Sequence, residues 1–160
     1  MECHVAGRDM EPGREGGSWF AVSKKGRIST LLNVVGGTFV DMRSRGSIVP
    51  EYLTAETSTA NHLSDLEARA HEFSLFNLLA VDVRRDGIDV HQISNVGDTR
   101  KTFTRGQGFL GIGNHLLGHP THKVSAGLTR FKDVVGELGR VEAKDELLEQ
   151  LLSLLKWNKK

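Results

Sequence analysis

Gly13-Arg14-Glu15-Gly16-Gly17-Ser18-Trp19 opens the stretch of sequence that decides the fold. The β-prone segment 20–23, a Lys-Lys-Gly turn at 24–26 and an apolar run ending at Asn33 follow it. Two β-prone segments around a Lys-Gly turn predict a β-hairpin. The glycine pair before Trp19 permits a positive φ or a close approach of two backbones, so we expect a constrained loop leading to a buried tryptophan.

Composition limits the classes of protein to which the chain can belong. Its 160 residues carry a formal net charge of +1, with both signs interspersed, and are long enough for one domain with a core. No basic patch with interleaved aromatic residues predicts a nucleic-acid partner, and no apolar run is long enough for a transmembrane segment. The single cysteine excludes an internal disulfide and fits a reducing compartment, so we expect a cytoplasmic location.

Periodicity predicts strands in the first two thirds of the chain. The continuous apolar run at 73–83 is typical of a strand buried on both faces, and Asp86-Gly87 predicts a hairpin to a strand at 88–94. Ser58 is a plausible N-cap for a helix that reaches residue 71. The remaining short elements are a helix at 48–53 and extended segments at 38–42, 99–104 and 109–112.

Two helices are predicted in the last third. Apolar residues from Val124 to Leu138 recur at helical spacing, and Gly139 suits the end of that helix. The final helix, at 143–157, carries six leucines, which is too many for one face of a free surface helix. Either this helix docks on the sheet, or a protein partner covers part of it, from a missing part of the domain or from another chain.

Five motifs in a shared order make the chain resemble the NRDE family, of the transport and Golgi organisation type. The first is the glycine-rich hairpin itself. The others are Arg43-Ser44-Arg45-Gly46, Phe76-Asn77-Leu78-Leu79-Ala80-Val81-Asp82, Gly111-Ile112-Gly113-Asn114 with Leu116, Leu117 and Pro120, and Lys144-Asp145-Glu146-Leu147-Leu148.

The resemblance implies an α+β fold, with antiparallel strands followed by C-terminal helices. This would be part of the αββα sandwich of the N-terminal-nucleophile hydrolases. Residues 1–160 would form a single partial domain that lacks the family's N-terminal nucleophile strand and its C-terminal strands.

Catalysis is not expected of this chain. In N-terminal-nucleophile enzymes the first residue attacks the substrate and its own α-amine acts as the base. Cys3 follows Met1-Glu2, so an amidohydrolase acting on a small amide or thioester, the alternative function, would require a mature form that starts at Cys3. Asn33 and Asn114 resemble family positions close to the substrate, and we expect them to bind a ligand or to satisfy buried backbone groups.

Arginines and histidines supply the other candidate ligand-binding residues. Arg14, Arg43 and Arg45 could bind haem propionates, acyl-CoA phosphates or lipid head groups, unless they belong to a solvated loop. His115, His119 and His122 have the i, i+4, i+7 spacing of metal or haem ligands on one helix face. Gly118 and Pro120 oppose a continuous helix, and a polar loop leading to a helix near Thr121 is the competing interpretation.

The resemblance implies trafficking rather than catalysis. Proteins of this family are linked to Golgi organisation, to secretion and to the movement of haem out of mitochondria or other haem stores, and lipid or acyl-CoA handling is also discussed for them. We therefore expect a non-enzymatic intracellular protein with haem as cargo rather than cofactor. Mitochondrial or Golgi association is the alternative to a purely cytoplasmic location, and a non-functional fragment with unpaired sheet edges is the third possibility.

Overall fold

The computed structural model describes residues 4–35, 42–96, 99–103, 108–115 and 120–157. The chain divides into two compact units. The first comprises Met1–Gln107 and Asn114–Leu117, and the second comprises Gly108–Gly113 and Gly118–Lys160. The single partial domain over residues 1–160 stays a prediction.

A sheet of six antiparallel strands, in sequence order, forms the framework of the first unit. The strands are β1 His4–Ala6, β2 Phe20–Ser23, β3 Arg27–Asn33, β4 Phe76–Val83, β5 Ile88–Ser94 and β6 Thr99–Phe103. The α+β class with antiparallel strands is thereby confirmed. The αββα sandwich stays a prediction, because it needs a second sheet and the strands of the described ranges form one.

Local turn chemistry explains the two tight hairpins of this sheet. Gly26 has a φ of +86° between β2 and β3, and its N–H donates to Ser23 O at 3.1 Å. Between β4 and β5, Arg84 N donates to Gly87 O at 2.8 Å. Both hairpins agree with the sequence prediction, because their geometry is fixed by residues that are adjacent in the chain.

Two helices pack on one face of the sheet and close the core of the first unit. They are α1 Ile48–Thr54 and α2 Thr59–Arg69, and Ser58 Oγ accepts from Asn61 N at 3.3 Å as the predicted N-cap. Side chains from both helices and from β2 to β5 meet in one apolar cluster. Its members are Ala21, Leu31, Ile48, Val49, Tyr52, Leu53, Leu63, Leu66, Ala70, Phe73, Phe76, Leu78, Ala80 and Ile93.

Two expectations about strands require correction. The predicted strand at 109–112 is wrong, because these residues are irregular and belong to the second unit. There Phe109 stacks edge-on against Phe131, with ring centroids 5.8 Å apart, instead of joining a ladder. The apolar run at 73–83 forms a strand only from Phe76, and its second face goes from buried at Asn77 through half-buried at Leu79 and Val81 to exposed at Val83. The expected segment at 38–42 lies outside the described residues, apart from Met42.

The second unit is a pair of helices, α3 His122–Leu138 and α4 Lys144–Lys156. Thr121 Oγ1 accepts from Val124 N at 3.4 Å as the N-cap of α3, and Gly139 follows its last residue. The core of this unit is small. It consists of Val134, Leu138 and Ala143, with Leu147 and Leu151 packed against them. No helix in the described ranges is both long enough and apolar enough to cross a membrane.

Candidate functional site

A cavity of about 800 Å³ lies in the first unit, where four parts of the chain converge. Its walls come from the loop before β2, the start of β2, the end of β3 and the segment 42–46. The volume falls within the range of roughly 300–1,000 Å³ that is typical of small-molecule sites. The lining side chains that could contact a ligand through charge, hydrogen bonds, a thioether or an aromatic ring are those of Arg8, Asp9, Met10, Arg14, Trp19, Asn33, Met42 and Arg45.

A backbone contact between two glycines holds one wall of this cavity in place. A Cβ on Gly17 would lie 3.1 Å from Gly46 Cα, closer than ordinary packing allows. Beside this contact, Ser18 N donates to Gly46 O at 2.9 Å. Gly16 has a φ of +80°, and its N–H donates to Asp9 O at 2.9 Å. The expected constraint at the glycine pair is therefore real, and it fixes the loop that carries Arg14.

Arg14 and Arg45 are brought together at this cavity. Burial and then the Arg14 cation lower the pKa of Arg45, so the two guanidinium groups are close enough to repel each other. Arg45 Nη1 donates to Leu75 O at 2.8 Å, which anchors it. Arg14 Nη1 pairs with Glu11 Oε2 at 2.9 Å, but both side chains are more than half exposed, so the pair contributes little. An anion at the cavity would relieve the repulsion.

Arg43 lies apart from the larger cavity. Its Nη1 pairs with Glu72 Oε2 at 2.9 Å, and its guanidinium lies 5.0 Å from the Phe73 ring centroid. Its backbone N–H also donates to Glu72 O at 2.9 Å. Arg43 lines a second, shallower cavity of about 500 Å³, which shares Arg14 with the first. Its contacts attach segment 42–46 to residues 72–73.

The two asparagines have different positions. Asn33 lines the larger cavity at the end of β3, and its buried Oδ1 has no hydrogen-bond partner within the described residues. An unpaired buried acceptor costs about 1–3 kcal/mol. Asn114 instead secures the backbone, since its Nδ2 donates to Asn33 O at 2.7 Å and its O accepts from Val35 N at 3.4 Å. Satisfying a backbone group, the second of the two expected roles, is what Asn114 does.

Trp19 is 63% exposed, so the expectation that it is buried is wrong. The position that faces the helices in this part of the chain belongs to Ala21, which is fully buried. The indole of Trp19 lines the cavity instead. Sequence analysis also missed Arg8, Met10 and Met42 at this site. For Trp19, its position just after a glycine-rich loop could have indicated an exposed aromatic side chain. The local sequence around the other three residues gives no such indication.

His115 and His122 do not lie on one helix. His115 lies in the first unit, where its O accepts from Asn77 Nδ2 at 2.9 Å, and His122 is the first residue of α3 in the second unit. The helical spacing argument is therefore wrong, and the competing interpretation of a helix that begins after Thr121 is confirmed. His119 and Cys3 lie outside the described residues. In the described part of the chain no three His, Cys, Asp or Glu side chains are grouped to hold a metal ion.

Comparison with known proteins gives a consistent picture. A family model described as Transport and Golgi organisation 2 matches residues 2–160. The chain is similar to the Transport and Golgi organization protein 2 homolog of Bos taurus, with 32% identity over 152 residues, which are 94% of this chain and 55% of the relative. The Drosophila melanogaster Transport and Golgi organization protein 2 is 33% identical over 163 residues, covering 96% of this chain and 57% of the relative. The chain thus spans just over half the length of these curated relatives.

Proposed function

We propose that this chain, which belongs to the Transport and Golgi organisation 2 family, is a non-enzymatic trafficking protein that carries an anionic and partly apolar small molecule. Haem is the cargo that we favour, moved out of mitochondria or other haem stores, with links to Golgi organisation and secretion. The proposal places the chain in the cytoplasm, in association with mitochondrial or Golgi membranes. The observation that carries it is the arginine-lined cavity of the first unit.

Charge supports an anionic cargo. Arg8, Arg14 and Arg45 line the cavity, against the single carboxylate of Asp9. Guanidinium groups bind carboxylates and phosphates through two parallel hydrogen bonds, which a lysine cannot do. A dianion such as the propionate pair of haem would offset the mutual repulsion of Arg14 and Arg45.

The apolar part of the lining supports a flat, partly hydrophobic cargo. Met10, Trp19 and Phe20 are all more than half exposed and lie at the cavity, so they offer apolar surface without being part of the core. Met10 and Met42 also bring two thioethers to the lining, and a thioether is an axial ligand that haem proteins use. Ligation of haem iron by His115, His119 and His122 stays a prediction.

A lipid or acyl-CoA cargo is the second candidate. The same arginines suit phosphate groups, and the exposed indole of Trp19 offers a stacking surface for a nucleobase. The two candidates therefore share an anionic group near Arg14 and Arg45, and they differ in whether iron is present.

Haemin titration of the purified chain tests the proposal, followed by Soret absorbance and by tryptophan fluorescence. The chain has two tryptophans, so a Trp157→Phe background leaves Trp19 as the sole tryptophan. Haemin bound at the cavity is expected to shift the Soret band with one-to-one saturation and to quench Trp19 at the same concentration. Raising the ionic strength should weaken binding, because the arginines are partly exposed and salt screens them.

Arg14→Gln tests where the ligand binds. Within the described residues the side chain of Arg14 pairs only with the exposed Glu11, so its loss should leave the fold intact. We expect it to weaken haemin binding by about three- to tenfold, the effect of one partly screened charge-assisted hydrogen bond. Arg85→Gln is the matched control, since Arg85 lies exposed in the β4–β5 turn, away from the cavity lining.

The outcomes separate the candidates. A Soret shift that Arg14→Gln weakens and Arg85→Gln does not supports haem as cargo. Quenching of Trp19 by palmitoyl-CoA but not by haemin moves the assignment to acyl-CoA. A chain that melts cooperatively and binds neither compound contradicts the proposal.

A further inference from the structure

Helix α4 has two apolar stripes, and among the described residues only one of them is buried. Leu147 and Leu151 pack against the small core of the second unit. Along a different line of the same helix, Leu148, Leu152 and Leu155 are 49%, 57% and 82% exposed. These three exposed leucines lie on successive turns of one 13-residue helix and form a continuous apolar strip. We call this strip the outer leucine stripe.

The spacing within the outer leucine stripe is that of a helix–helix seam. Leu148 and Leu152 are four residues apart and Leu152 and Leu155 are three apart, which is the alternation of a coiled-coil heptad. Glu149 and Lys156 lie seven residues apart on the same flank of this seam, and both are exposed. Charged residues in such flanking positions set the partner and its orientation.

The two ends of α4 carry charges of opposite sign, so two copies of this helix are electrostatically complementary when they are antiparallel. Its first turn contains Asp145 and Glu146, which outweigh Lys144, and its last turn contains Lys156. Two parallel copies would bring the acidic turns side by side, and their helix dipoles would also be aligned unfavourably. Two antiparallel copies would instead separate the two acidic first turns and bring Lys156 in the last turn of each copy beside Glu149 of the other.

We propose that two copies of this chain associate through their outer leucine stripes, with the α4 helices antiparallel about a two-fold axis beside Leu152. In this arrangement Leu148 faces Leu155 of the second copy, and Glu149 lies opposite Lys156 of the second copy. The two-fold axis repeats both contacts, as in any isologous dimer. In this register residues 148–156 of the two helices lie side by side over about 13 Å, so the association is weak and depends on concentration.

Sedimentation equilibrium of the full chain over a range of concentrations tests the proposal. We expect a monomer–dimer equilibrium that Leu152→Glu weakens at least tenfold, because it places two carboxylates at the axis. Val35→Glu is the matched control, since Val35 is 85% exposed in the first unit and its substitution should leave the equilibrium unchanged. Far-UV circular dichroism checks that the helices persist, and Leu155→Glu replaces Leu152→Glu if that variant does not fold.

A charge exchange tests the orientation. Glu149→Lys and Lys156→Glu should each weaken the dimer by about three- to tenfold through repulsion at the flanks, and the double variant should restore it. A chain that stays monomeric at every attainable concentration overturns the proposal, whether a different protein or a further segment covers the stripe. A dimer that Leu152→Glu leaves intact overturns the interface, and a double variant that stays weak overturns the antiparallel arrangement.

Discussion

The two units use the same residue type in opposite ways. In the first unit Leu31, Leu63 and Leu78 are at most 2% exposed, within a cluster of fourteen buried apolar side chains. In the second unit the buried cluster has three members, while Leu152 is 57% exposed. Hydrophobic residues therefore hold the first unit together, whereas in the second unit four of the nine leucine side chains are exposed. Leucine content by itself does not separate a core from a recognition surface.

The largest expected effect separates these two uses of leucine. Leu78→Ala removes a fully buried side chain between β3 and β5, and we expect it to lower the free energy of unfolding by about 3–5 kcal/mol. Leu152→Ala should change it by much less, about 0.5 kcal/mol, because more than half of the side chain is already exposed to water. Urea unfolding of dilute protein, where a dimer is dissociated, measures both. Equal losses for the two variants would contradict the comparison.

A smaller effect is expected from the glycines of the first unit. Gly17→Ala would bring a Cβ to 3.1 Å from Gly46 Cα and 3.2 Å from Arg14 O, so the loop must shift. We expect a loss of about 1–3 kcal/mol, as for other overpacked sites, together with weaker haemin binding because Arg14 moves with the loop.

The control for this variant is Gly7→Ala. Nothing lies within 4 Å of a Cβ at Gly7, and its φ is not in the left-handed region. Gly7 itself lines the cavity, so the comparison is one of stability. Unchanged stability in Gly7→Ala, with a loss in Gly17→Ala, would assign the effect to the glycine contact. Equal behaviour of the two variants would remove that assignment.

Glycines of the second unit should behave in the opposite way. Gly127 and Gly136 lie inside α3, and a Cβ on either meets nothing within 4 Å. Alanine restricts the unfolded backbone and suits a helix, so each Gly→Ala change should add about 0.5–1 kcal/mol to the free energy of unfolding. Urea unfolding monitored by circular dichroism at 222 nm, the usual helix signal, tests this. Gly136 is exposed, so a loss of stability in Gly136→Ala would contradict this expectation. It would indicate that the added methyl group clashes with a neighbour that the described residues do not include.

Much of the fold could be predicted because its signals are local. The β2–β3 hairpin follows from Gly26 in its turn, and α2 and α3 begin next to the capping residues Ser58 and Thr121. The same reasoning failed where a distant segment decides the outcome. Residues 109–112 have the composition of a strand, but Phe109 packs on Phe131 of α3 instead.

The candidate site was harder to predict than the fold, because its walls are far apart in sequence. Arg14 and Arg45 stood out as cations, but only the contact between Gly17 and Gly46 places them at one cavity. Met42 directly precedes the motif at residues 43–46 and joins the same lining, although the motif itself does not include it. The sequence predicts a buried Trp19, but this residue precedes β2 and is exposed, and the buried position in this part of the chain is Ala21.

The smallest expected effect is a pH dependence confined to the sheet unit. Burial, and then the cation of Arg100, lower the pKa of His91, whose Nδ1 lies 3.1 Å from Thr102 Oγ1 on the neighbouring strand. Burial likewise lowers the pKa of His62, and the Glu51 carboxylate partly opposes it. The unfolded chain therefore binds more protons than the folded chain over the interval from about pH 6.5 down to the folded pKa values.

The sign follows from this difference in proton uptake. The stabilisation is fully present above about pH 6.5 and is lost as the pH falls through the interval to the lowered pKa values. Urea unfolding between pH 8 and pH 5 should show a falling free energy of unfolding, and His91→Gln should flatten part of that slope, since an amide cannot titrate there. His71→Gln is the control, because His71 is exposed at the end of α2. If His71→Gln flattens the slope as much as His91→Gln does, burial of histidines in the first unit is not the cause of the pH dependence.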